Sequence, residues 1–510
     1  MWIFLILAAL VFYGVFVRQK SLLLPPGPPG KFILGNALEI RNARYLWLKL
    51  DEYAKSYGDI FTFRLLGRPT VVLSNPHTIT ELFEKRATTF SSRPIIEMAK
   101  LSGWTDAILF VPYGPRLRTY RRFLHQTLNP RATLEFQSLQ VEEMRKFMKR
   151  LLNEPERFYE HARLYAGAVS IRIAYGHTAR SSDDRFIRMA EDFMTSTPGR
   201  WLVETIPLLR FIPSWFPGAS FKRKTEEWAK MTVGFRQEPF DYVIKNMASP
   251  ISTLPIQMFN STLQAKGTAE PSFTSKLLEP EDGRKIDASE KDMIKVVASN
   301  LYGAGADSSS ALLQSFFLAM TLYPRVQAKA QAEIDAYLTC ARVLTIEDRE
   351  YLTYTHAVVS EVIRWHPVAN IVARYTQEDE AVGEYVIPKR TLVLGNLWTM
   401  LHDPELYHNP ENFYPERFLG DNPAPDPETC AFGFGRRVCP GIHIAQQSLW
   451  ITISNLLANF EISKARNADG LEITPSEDYT KDIISRPLPF ECSIQPRSTA
   501  SQVLVDDVEL

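Results

Sequence analysis

Cys439 has the sequence setting that points most clearly to chemistry, because it lies in the glycine-rich segment Phe432-Gly-Phe-Gly-Arg-Arg-Val-Cys-Pro-Gly441. Glycines adopt positive φ and let the backbone approach a flat partner, and a helical pattern follows the segment directly. Backbone N–H groups at a helix start can point at the sulfur and stabilise a thiolate. A thiolate is the ligand that favours O–O cleavage at a haem iron. Taken alone, the cysteine is equally compatible with a buried structural residue in a tight turn.

Two further motifs favour the haem-thiolate interpretation. Glu361-Val-Ile-Arg364 places an acid and an arginine three residues apart on one helix face, where they can pair. Pro415-Glu-Arg-Phe418 lies between that pair and the cysteine. With these motifs in this order, the chain resembles the cytochrome P450 superfamily of haem-thiolate monooxygenases over essentially its whole length. The resemblance implies a fold that is mainly α with small β-sheets (α+β), a single large helical haem domain.

The resemblance also assigns roles to individual residues. Cys439 is implied to be the axial thiolate of the iron of haem b. Arg417 is implied to join Glu361 and Arg364 in a buried network. The remaining loop positions that the resemblance assigns to haem binding are Phe432, Gly433, Arg437 and Gly441.

A second candidate site for chemistry lies in the middle of a long helical pattern, 287–322. Each glycine in a helix interior costs about 1 kcal/mol relative to alanine, so the glycines there indicate close packing or a helix opened on purpose. The segment Ala304-Gly-Ala-Asp-Ser-Ser309 resembles the family's oxygen-binding stretch, which implies that Asp307 and Ser308 relay protons. Ser308 replaces the commoner threonine, and its freer rotamer predicts either a leakier proton delivery or a greater reliance on Asp307 and water.

Haem propionates need cations, and the resemblance implies Arg121, Arg374 and Arg437 for this role. The family's W-x-x-x-R element falls on 117–121, where Leu117 replaces the usual tryptophan and removes an indole donor. The family docks a separate NADPH–cytochrome reductase on the face behind the haem, and 510 residues leave no room for a flavin module besides the haem domain. The candidate docking residues, each of which is otherwise a solvated arginine, are Arg116, Arg118, Arg122 and Arg436.

Composition limits the partners and the compartment. The 58 Lys+Arg residues balance 58 Asp+Glu residues, which argues against a nucleic-acid-binding protein. The four cysteines are scattered and form no disulfide framework, which predicts a reducing compartment. The apolar run 1–17 followed by Arg18 and Lys20 predicts an uncleaved, single-pass anchor in the endoplasmic reticulum membrane with the catalytic domain in the cytoplasm, in preference to a cleaved signal peptide.

The substrate pocket implied by the resemblance is mainly apolar and aromatic, which suits a hydrophobic small molecule. Its polar candidates are Asn300, Asn370 and Glu204, each more easily explained as a structural residue. The apolar run 208–218 is interpreted either as a loop that enters the bilayer or as a loop packed over the core. The implied pocket segments are 95–110, 300–304, 368–372 and 488–490, with Phe193 and Val203.

The sequence therefore predicts an anchor at 1–20, a Pro/Gly-rich hinge at 21–30, a haem domain at 31–496 and a polar, disordered tail at 497–510. The segment 249–266 looks like an insertion. Runs such as Ile212-Pro-Ser-Trp-Phe-Pro-Gly218 are similar to fungal members that oxidise secondary metabolites, including polyketides, aromatic compounds and indole alkaloids. The expected reaction is hydroxylation, epoxidation or oxidative rearrangement. The alternatives are a haem-thiolate isomerase or dehydratase that uses no O2, and a non-catalytic, membrane-anchored haem binder.

Overall fold

Helices dominate the fold. The computed structural model describes residues 23–94, 96–195, 201–205, 207–248 and 270–508. The α-helices, numbered α1 to α19 in chain order, are Ala37–Asn42, Leu46–Tyr57, Pro76–Thr80, Ala87–Phe90, Glu97–Leu101, Pro115–Leu128, Gln137–Asn153, Phe158–Tyr175, Arg185–Thr195, Leu202–Thr205, Ser220–Ala248, Phe273–Leu278, Ala288–Leu322, Pro324–Tyr337, Thr353–Trp365, Leu397–Leu401, Glu428–Ala431, Ile442–Asn459 and Thr499–Asp506.

The central element is α13 (Ala288–Leu322), whose predicted bounds of 287–322 are confirmed to within one residue. The Asp287 side chain caps its start by accepting a hydrogen bond from the backbone N–H of Glu290. Pro324 begins the next helix and cannot continue this one. Residues 310–321 of α13 are buried on every face, so this helix passes through the core.

One of the two glycines at the centre of α13 is a close-packing position. A Cβ built on Gly305 would lie 2.5 Å from Ser170 Oγ of α8 (Phe158–Tyr175). A side chain at this position would require the Ser170 hydroxyl to rotate away or the two helices to move apart. The explanation for the glycine is therefore helix-to-helix contact with α8.

Small sheets complete the fold. The strands β1 to β8 are Ile60–Leu65, Arg68–Leu73, Ile371–Tyr375, Glu380–Val382, Tyr385–Ile387, Leu392–Asn396, Phe460–Lys464 and Cys492–Pro496. The largest sheet has the order β1-β2-β6-β3, with β1 and β2 antiparallel, β2 and β6 parallel, and β3 and β6 antiparallel. The parallel register pairs Thr70 with Leu392 and Leu73 with Gly395. Two antiparallel pairs, β4-β5 and β7-β8, form the remaining sheets.

The prediction of a disordered tail at 497–510 is wrong for most of that segment. Ser498 caps α19 (Thr499–Asp506) by accepting a hydrogen bond from the Ser501 N–H, and Val505 is only 1% exposed. The short helix packs against α7 (Gln137–Asn153), and the polar composition reflects its solvent face. The burial of one face was not apparent from composition.

The predicted anchor at 1–20 and the predicted insertion at 249–266 lie outside the described residues. Within the described ranges, none of the helices is both long and apolar enough to span a membrane. In the hinge segment 23–30, the Pro26 carbonyl accepts a hydrogen bond from the N–H of Thr62, at 2.7 Å. This bond joins the hinge to the first strand of the largest sheet.

Candidate active site

The cysteine loop is a tight turn between the 3₁₀ turn Gly435–Arg437 and α18 (Ile442–Asn459). Gly433 and Gly435 have φ values of +76° and +56°, a region that favours glycine. A Cβ on Gly435 would lie 2.2 Å from the Phe83 carbonyl oxygen, so this glycine lets the loop pack on the turn 81–85. The Cys439 N–H donates to the Phe432 carbonyl at 2.8 Å and closes the loop.

A bound metal cation would change the protonation state of the Cys439 thiol. Burial raises the pKa of this thiol, while a hydrogen bond from the Gly441 backbone N–H and the charge of Arg121 lower it; the net shift is upward. Without a metal the sulfur is therefore a neutral thiol near neutral pH. A bound iron would deprotonate it, because a metal-coordinating thiol loses its proton. The sulfur fits the role of an axial ligand.

The middle of α13 is more accessible on one side than the segments before and after it. Tyr302, Gly303 and Asp307 are buried, whereas Ala304 is exposed and Ser308 is half-buried, although the helix runs through the core on both sides. The Ser308 hydroxyl donates to the Ala304 carbonyl at 2.8 Å. Its oxygen keeps lone pairs that can accept a hydrogen bond from a bound molecule.

Asp307 is held by an arginine from a distant loop. Arg486 Nη2 donates to Asp307 Oδ1 at 2.6 Å, and Asp307 is 9% exposed. Burial raises the pKa of the Asp307 carboxyl, and the charge and hydrogen bond of Arg486 oppose that rise without cancelling it. The carboxyl is thus easier to protonate than an ordinary aspartate, which suits a proton relay. Sequence analysis missed Arg486, because no local pattern links it to a residue in another element.

Arg121, Arg374 and Arg437 lie in one cluster with a fourth arginine, Arg93. Arg121 Nη1 donates to the Val438 carbonyl, next to the cysteine. Arg437 Nε donates to the Ser91 carbonyl at 2.8 Å, and Arg374, 1% exposed, donates to Phe434 at 3.4 Å. Burial and the charges of Arg93 and Arg121 lower the pKa of Arg437 to about 9. Burial and the charges of Arg93 and Arg437 lower the pKa of Arg374.

This arginine cluster fits a cofactor that carries carboxylates. Throughout the described ranges, no Asp or Glu oxygen lies within 4.0 Å of any of the four guanidinium groups. Buried cations without counter-charges are costly, so the cluster calls for an anionic group. A haem with two propionates supplies two negative charges, and the residues present therefore fit that group. Leu117, where the family usually has a donor, is buried and offers none.

Glu361, Arg364 and Arg417 are brought together as one buried group. Glu361 accepts hydrogen bonds from Arg364 Nε and Nη2, both at 2.8 Å, and from Arg417 Nε at 3.2 Å. The two guanidinium groups also donate to backbone carbonyls of the segment 408–412. Glu361 and Arg364 are both 0% exposed. The trio ties α15 (Thr353–Trp365) to the loop that leads towards the cysteine segment.

Of the polar residues suggested for the substrate pocket, two have structural partners. Glu204 accepts from the N–H groups of Glu97 and Met98 at 2.8 and 2.7 Å. Asn300 accepts from the Ile108 N–H at 3.1 Å and so ties the loop 102–114 to α13. The Asn370 Oδ1 atom is buried and has no hydrogen-bond partner in the described part of the chain. The aromatic wall includes Trp104 stacked on Phe193, with ring centroids 4.4 Å apart.

Comparisons with known proteins show the family of the chain. The family model for cytochrome P450 matches residues 25–493. The cytochrome P450 monooxygenase COX2 of Coprinopsis cinerea is 37% identical over 505 residues, covering 96% of this chain and 92% of the relative. The cytochrome P450 monooxygenase claR of Ampulloclitocybe clavipes is 36% identical, covering 96% and 89%. The cytochrome P450 monooxygenase 208 of Postia placenta is 38% identical, covering 98% and 96%.

Proposed function

The chain belongs to the cytochrome P450 family and is a monooxygenase with a haem-thiolate iron cofactor, and we propose that its substrate is a hydrophobic secondary metabolite such as a polyketide, an aromatic compound or an indole alkaloid. The observation that carries this proposal is the open face of α13 at Ala304, which adjoins the buried carboxyl of Asp307 and the Ser308 hydroxyl. The pocket segments implied by the family resemblance are mainly apolar and aromatic, which suits such a molecule. The relatives named above come from fungi, where the proposed pathway would operate.

The bound haem supplies reductive activation of dioxygen. The chain's own residues hold and orient the haem and deliver protons. Cys439 would supply the thiolate ligand of the iron. Arg121, Arg374 and Arg437 bind the propionates and fix the orientation of the ring. The Ser308 hydroxyl donates its proton to the Ala304 carbonyl at rest, so in the relay the hydroxyl turns away from Ala304, donates that proton and accepts another on its oxygen. Asp307, released from Arg486, carries protons from the solvent side to Ser308.

The electron donor in this proposal is a separate NADPH–cytochrome reductase. Arg118 and Arg436 lie over the same ring, that of Tyr113, with distances of 6.0 and 4.9 Å to its centroid. Both arginines are exposed, and Arg436 belongs to the cysteine loop. Two cations on one ring make a compact positive patch close to the proposed iron ligand, which suits an acidic partner. Arg116 is also exposed but lies 3.9 Å from the carboxylates of Asp106 and Asp292, which offset its charge.

We place the catalytic domain at the cytoplasmic face of the endoplasmic reticulum membrane. The run 208–216 carries four exposed apolar side chains, of which Trp215 is 78% exposed. Basic residues at 222–224 follow directly. Exposed aromatics beside cations are typical of a segment that enters the headgroup region. These exposed apolar side chains support the interpretation of 208–218 as a loop at the bilayer.

Deleting the gene is expected to make one hydrophobic metabolite accumulate and a more oxidised product disappear. Re-expression under ¹⁸O2 should restore a product that carries one labelled oxygen atom, because a monooxygenase gives one atom to the substrate and one to water. Mass spectrometry of extracts measures both. A restored product without label would favour the isomerase or dehydratase alternative. Identical extracts from the deletion and parent strains would contradict the proposed role in metabolism.

Asp307→Asn is expected to lower product formation about 100-fold, the usual range for a positioned acid-base group, while NADPH oxidation continues and is diverted to peroxide and water. Arg486→Gln keeps the carboxyl and removes the cation that lowers its pKa, so the carboxylate is lost at a higher pH and the acid limb of the pH–rate profile moves upward. Product and NADPH are measured together across pH. An unchanged ratio of product to NADPH in Asp307→Asn would remove Asp307 from the relay.

A further inference from the structure

An ion pair ties the loop 102–114, part of the wall of the proposed substrate pocket, to α11 (Ser220–Ala248). Arg236 Nη2 donates to Asp106 Oδ1 at 2.7 Å, and Arg236 Nη1 donates to Asp106 Oδ2 at 3.1 Å. The side chains of Arg236 and Asp106 are 14% and 24% exposed, so salt and solvent screen this pair less than a surface pair. Two parallel bonds fix the direction of the Asp106 side chain as well as its distance from the helix.

A further hydrogen bond joins the same loop to the same helix one turn earlier. Trp104 Nε1 donates to Thr232 Oγ1 at 3.1 Å, and the Thr232 hydroxyl donates to the Trp228 carbonyl at 2.8 Å. Both Trp104 and Thr232 are buried. Thr232 and Arg236 are four residues apart and therefore lie on one face of α11. The loop is thus fastened at two points along a single helix face.

Trp104 is also the first ring of an aromatic stack that crosses the fold. The Trp104 ring lies 4.4 Å from the Phe193 ring, and the Phe193 ring lies 4.2 Å from that of Phe235, with interplanar angles of 10° and 11°. The Phe235 ring lies 5.4 Å from that of Tyr302, at 20°. The stack therefore connects the loop with α9 (Arg185–Thr195), α11 and α13. A shift of Trp104 would disturb ring contacts in all three helices.

The second half of the loop is held by α13 and by the cysteine segment. Asn300 Oδ1 accepts from the Ile108 N–H at 3.1 Å, and Asn300 Nδ2 donates to the Val296 carbonyl at 2.6 Å. Arg437 Nη1 donates to the Ile108 carbonyl at 2.9 Å. The oxygen and the nitrogen of the Asn300 side chain are both engaged within the protein. Along this wall, the shape of the aromatic surface is therefore the main means of selecting a hydrophobic ligand.

We propose that Arg236 is a specificity-determining residue, which holds the loop 102–114 and the Trp104 ring in one position. Arg236 is a positioning residue, because it acts through Asp106. A wall that is fixed before binding favours ligands that match its shape, since a ligand of another shape must also supply the free energy that moves the wall. The proposal rests on the proposed function, because it takes this loop as a wall of the substrate pocket.

The first test measures hydrogen exchange by mass spectrometry in the full-length holoprotein, over the peptide that covers 102–114. Arg236→Gln is expected to speed exchange there by about 10- to 100-fold, because charge-assisted hydrogen bonds that keep the loop closed are lost. Arg236→Lys keeps the charge without the two parallel donors, so its effect should be smaller. Arg116 lies 3.9 Å from Asp106 but belongs to α6 (Pro115–Leu128), so it does not restore the tie to α11. Unchanged exchange in Arg236→Gln would overturn the proposal.

The second test uses 1-phenylimidazole and 4-phenylimidazole, two isomers that bind haem iron through nitrogen and differ only in the direction of the phenyl ring. Spectral titration gives the two Kd values, and we expect them to differ by about tenfold or more in the wild type. In Arg236→Gln this ratio should fall by about threefold or more, while the Kd of unsubstituted imidazole should change by less than about twofold. A wild-type ratio near one, or faster exchange with an unchanged ratio, would overturn the specificity role. The deletion-strain experiment tests the substrate class, so the two failures are distinguishable.

Arg497→Gln is the matched control. Arg497 Nη1 and Nη2 donate to Asp335 Oδ1 and Oδ2 at 3.0 and 2.6 Å, which is also a two-bond pair between distant segments, but it joins the end of β8 to α14 (Pro324–Tyr337). Its loop exchange and isomer ratio should equal those of the wild type, and equal effects in Arg497→Gln and Arg236→Gln would contradict the assignment. If Arg236→Gln does not accumulate, Arg236→Lys and Thr232→Val take its place. Unchanged exchange and an unchanged ratio in both would likewise overturn the proposal.

Discussion

Cys439→Ala is expected to abolish the thiolate-type ferrous–CO absorption band and to reduce product formation to background. The Ala side chain offers no ligand for the iron. Among the described residues of the loop, no second sulfur could replace the Cys439 thiolate, because the nearby Cys430 faces Met400, with the two sulfurs 3.6 Å apart. Arg121, Arg374 and Arg437 would still attract the propionates, so some haem without a thiolate ligand is expected to remain bound. The CO-difference spectrum of the reduced protein, normalised to total haem, measures the effect.

Cys430→Ala provides the matched control for this experiment. Cys430 lies nine positions before Cys439, is buried, and has a thiol whose pKa burial raises to about 12. Its removal changes packing beside Met400 but leaves the proposed ligand in place, so the thiolate band should persist. A normal band in Cys439→Ala, or its loss in Cys430→Ala alone, would show that the axial ligand has been misassigned.

Glu361→Gln is expected to destabilise the fold by about 3–5 kcal/mol, the usual cost of breaking a buried ion pair. The substitution keeps the shape of the side chain but leaves the guanidinium groups of Arg364 and Arg417 buried without a counter-charge. Because backbone carbonyls of the segment 408–412 accept hydrogen bonds from those two guanidinium groups, we expect the structural disturbance to extend towards the cysteine loop. The denaturant midpoint for loss of the thiolate spectrum, together with the yield of holoprotein, measures it.

Glu160→Gln is the control for that variant. Arg157 and Glu160 have the same three-residue spacing as the buried pair and a 2.6 Å contact, but both are largely exposed. Solvent screens such a pair, so its loss should move the denaturant midpoint far less than loss of the buried pair does. Equal shifts of the denaturant midpoint in Glu160→Gln and Glu361→Gln would mean that the buried trio does not contribute the expected free energy of unfolding.

Local sequence signals predicted the helices and turns well where a residue type has a single structural role. The helical pattern gave the bounds of the central helix, which in the structure begins after the Asp287 cap and ends before Pro324. The glycine-rich cysteine turn was likewise predicted from its composition. In contrast, the partner of Asp307 lies 179 positions away, and Arg93 meets Ala373 across 280 positions. Such contacts arise only from the tertiary arrangement, which no periodicity or spacing encodes.

The helix Thr499–Asp506 shows a different limit of prediction from sequence. The segment 497–510 contains several serines and acids, and composition alone predicted disorder. Its stability comes from the Ser498 cap and from the burial of Val505 against α7. A short helix of this kind gains most of its free energy from packing, so sequence propensity is a weak guide to it.

The parallel pairing of β2 with β6 has a consequence for biosynthesis. Residues 70–73 cannot form this pairing until residues 392–395 have been synthesised. A ribosome that adds about 5–20 residues per second reaches the later segment some tens of seconds after the earlier one. During that interval the N-terminal hairpin β1-β2 has an open edge, a template for unwanted pairing with other chains. The arginine cluster is also split, since Arg121 needs Val438 and Arg93 needs Ala373. Haem uptake is therefore a late event, and chaperone occupancy of the nascent chain until then should set the yield of active enzyme.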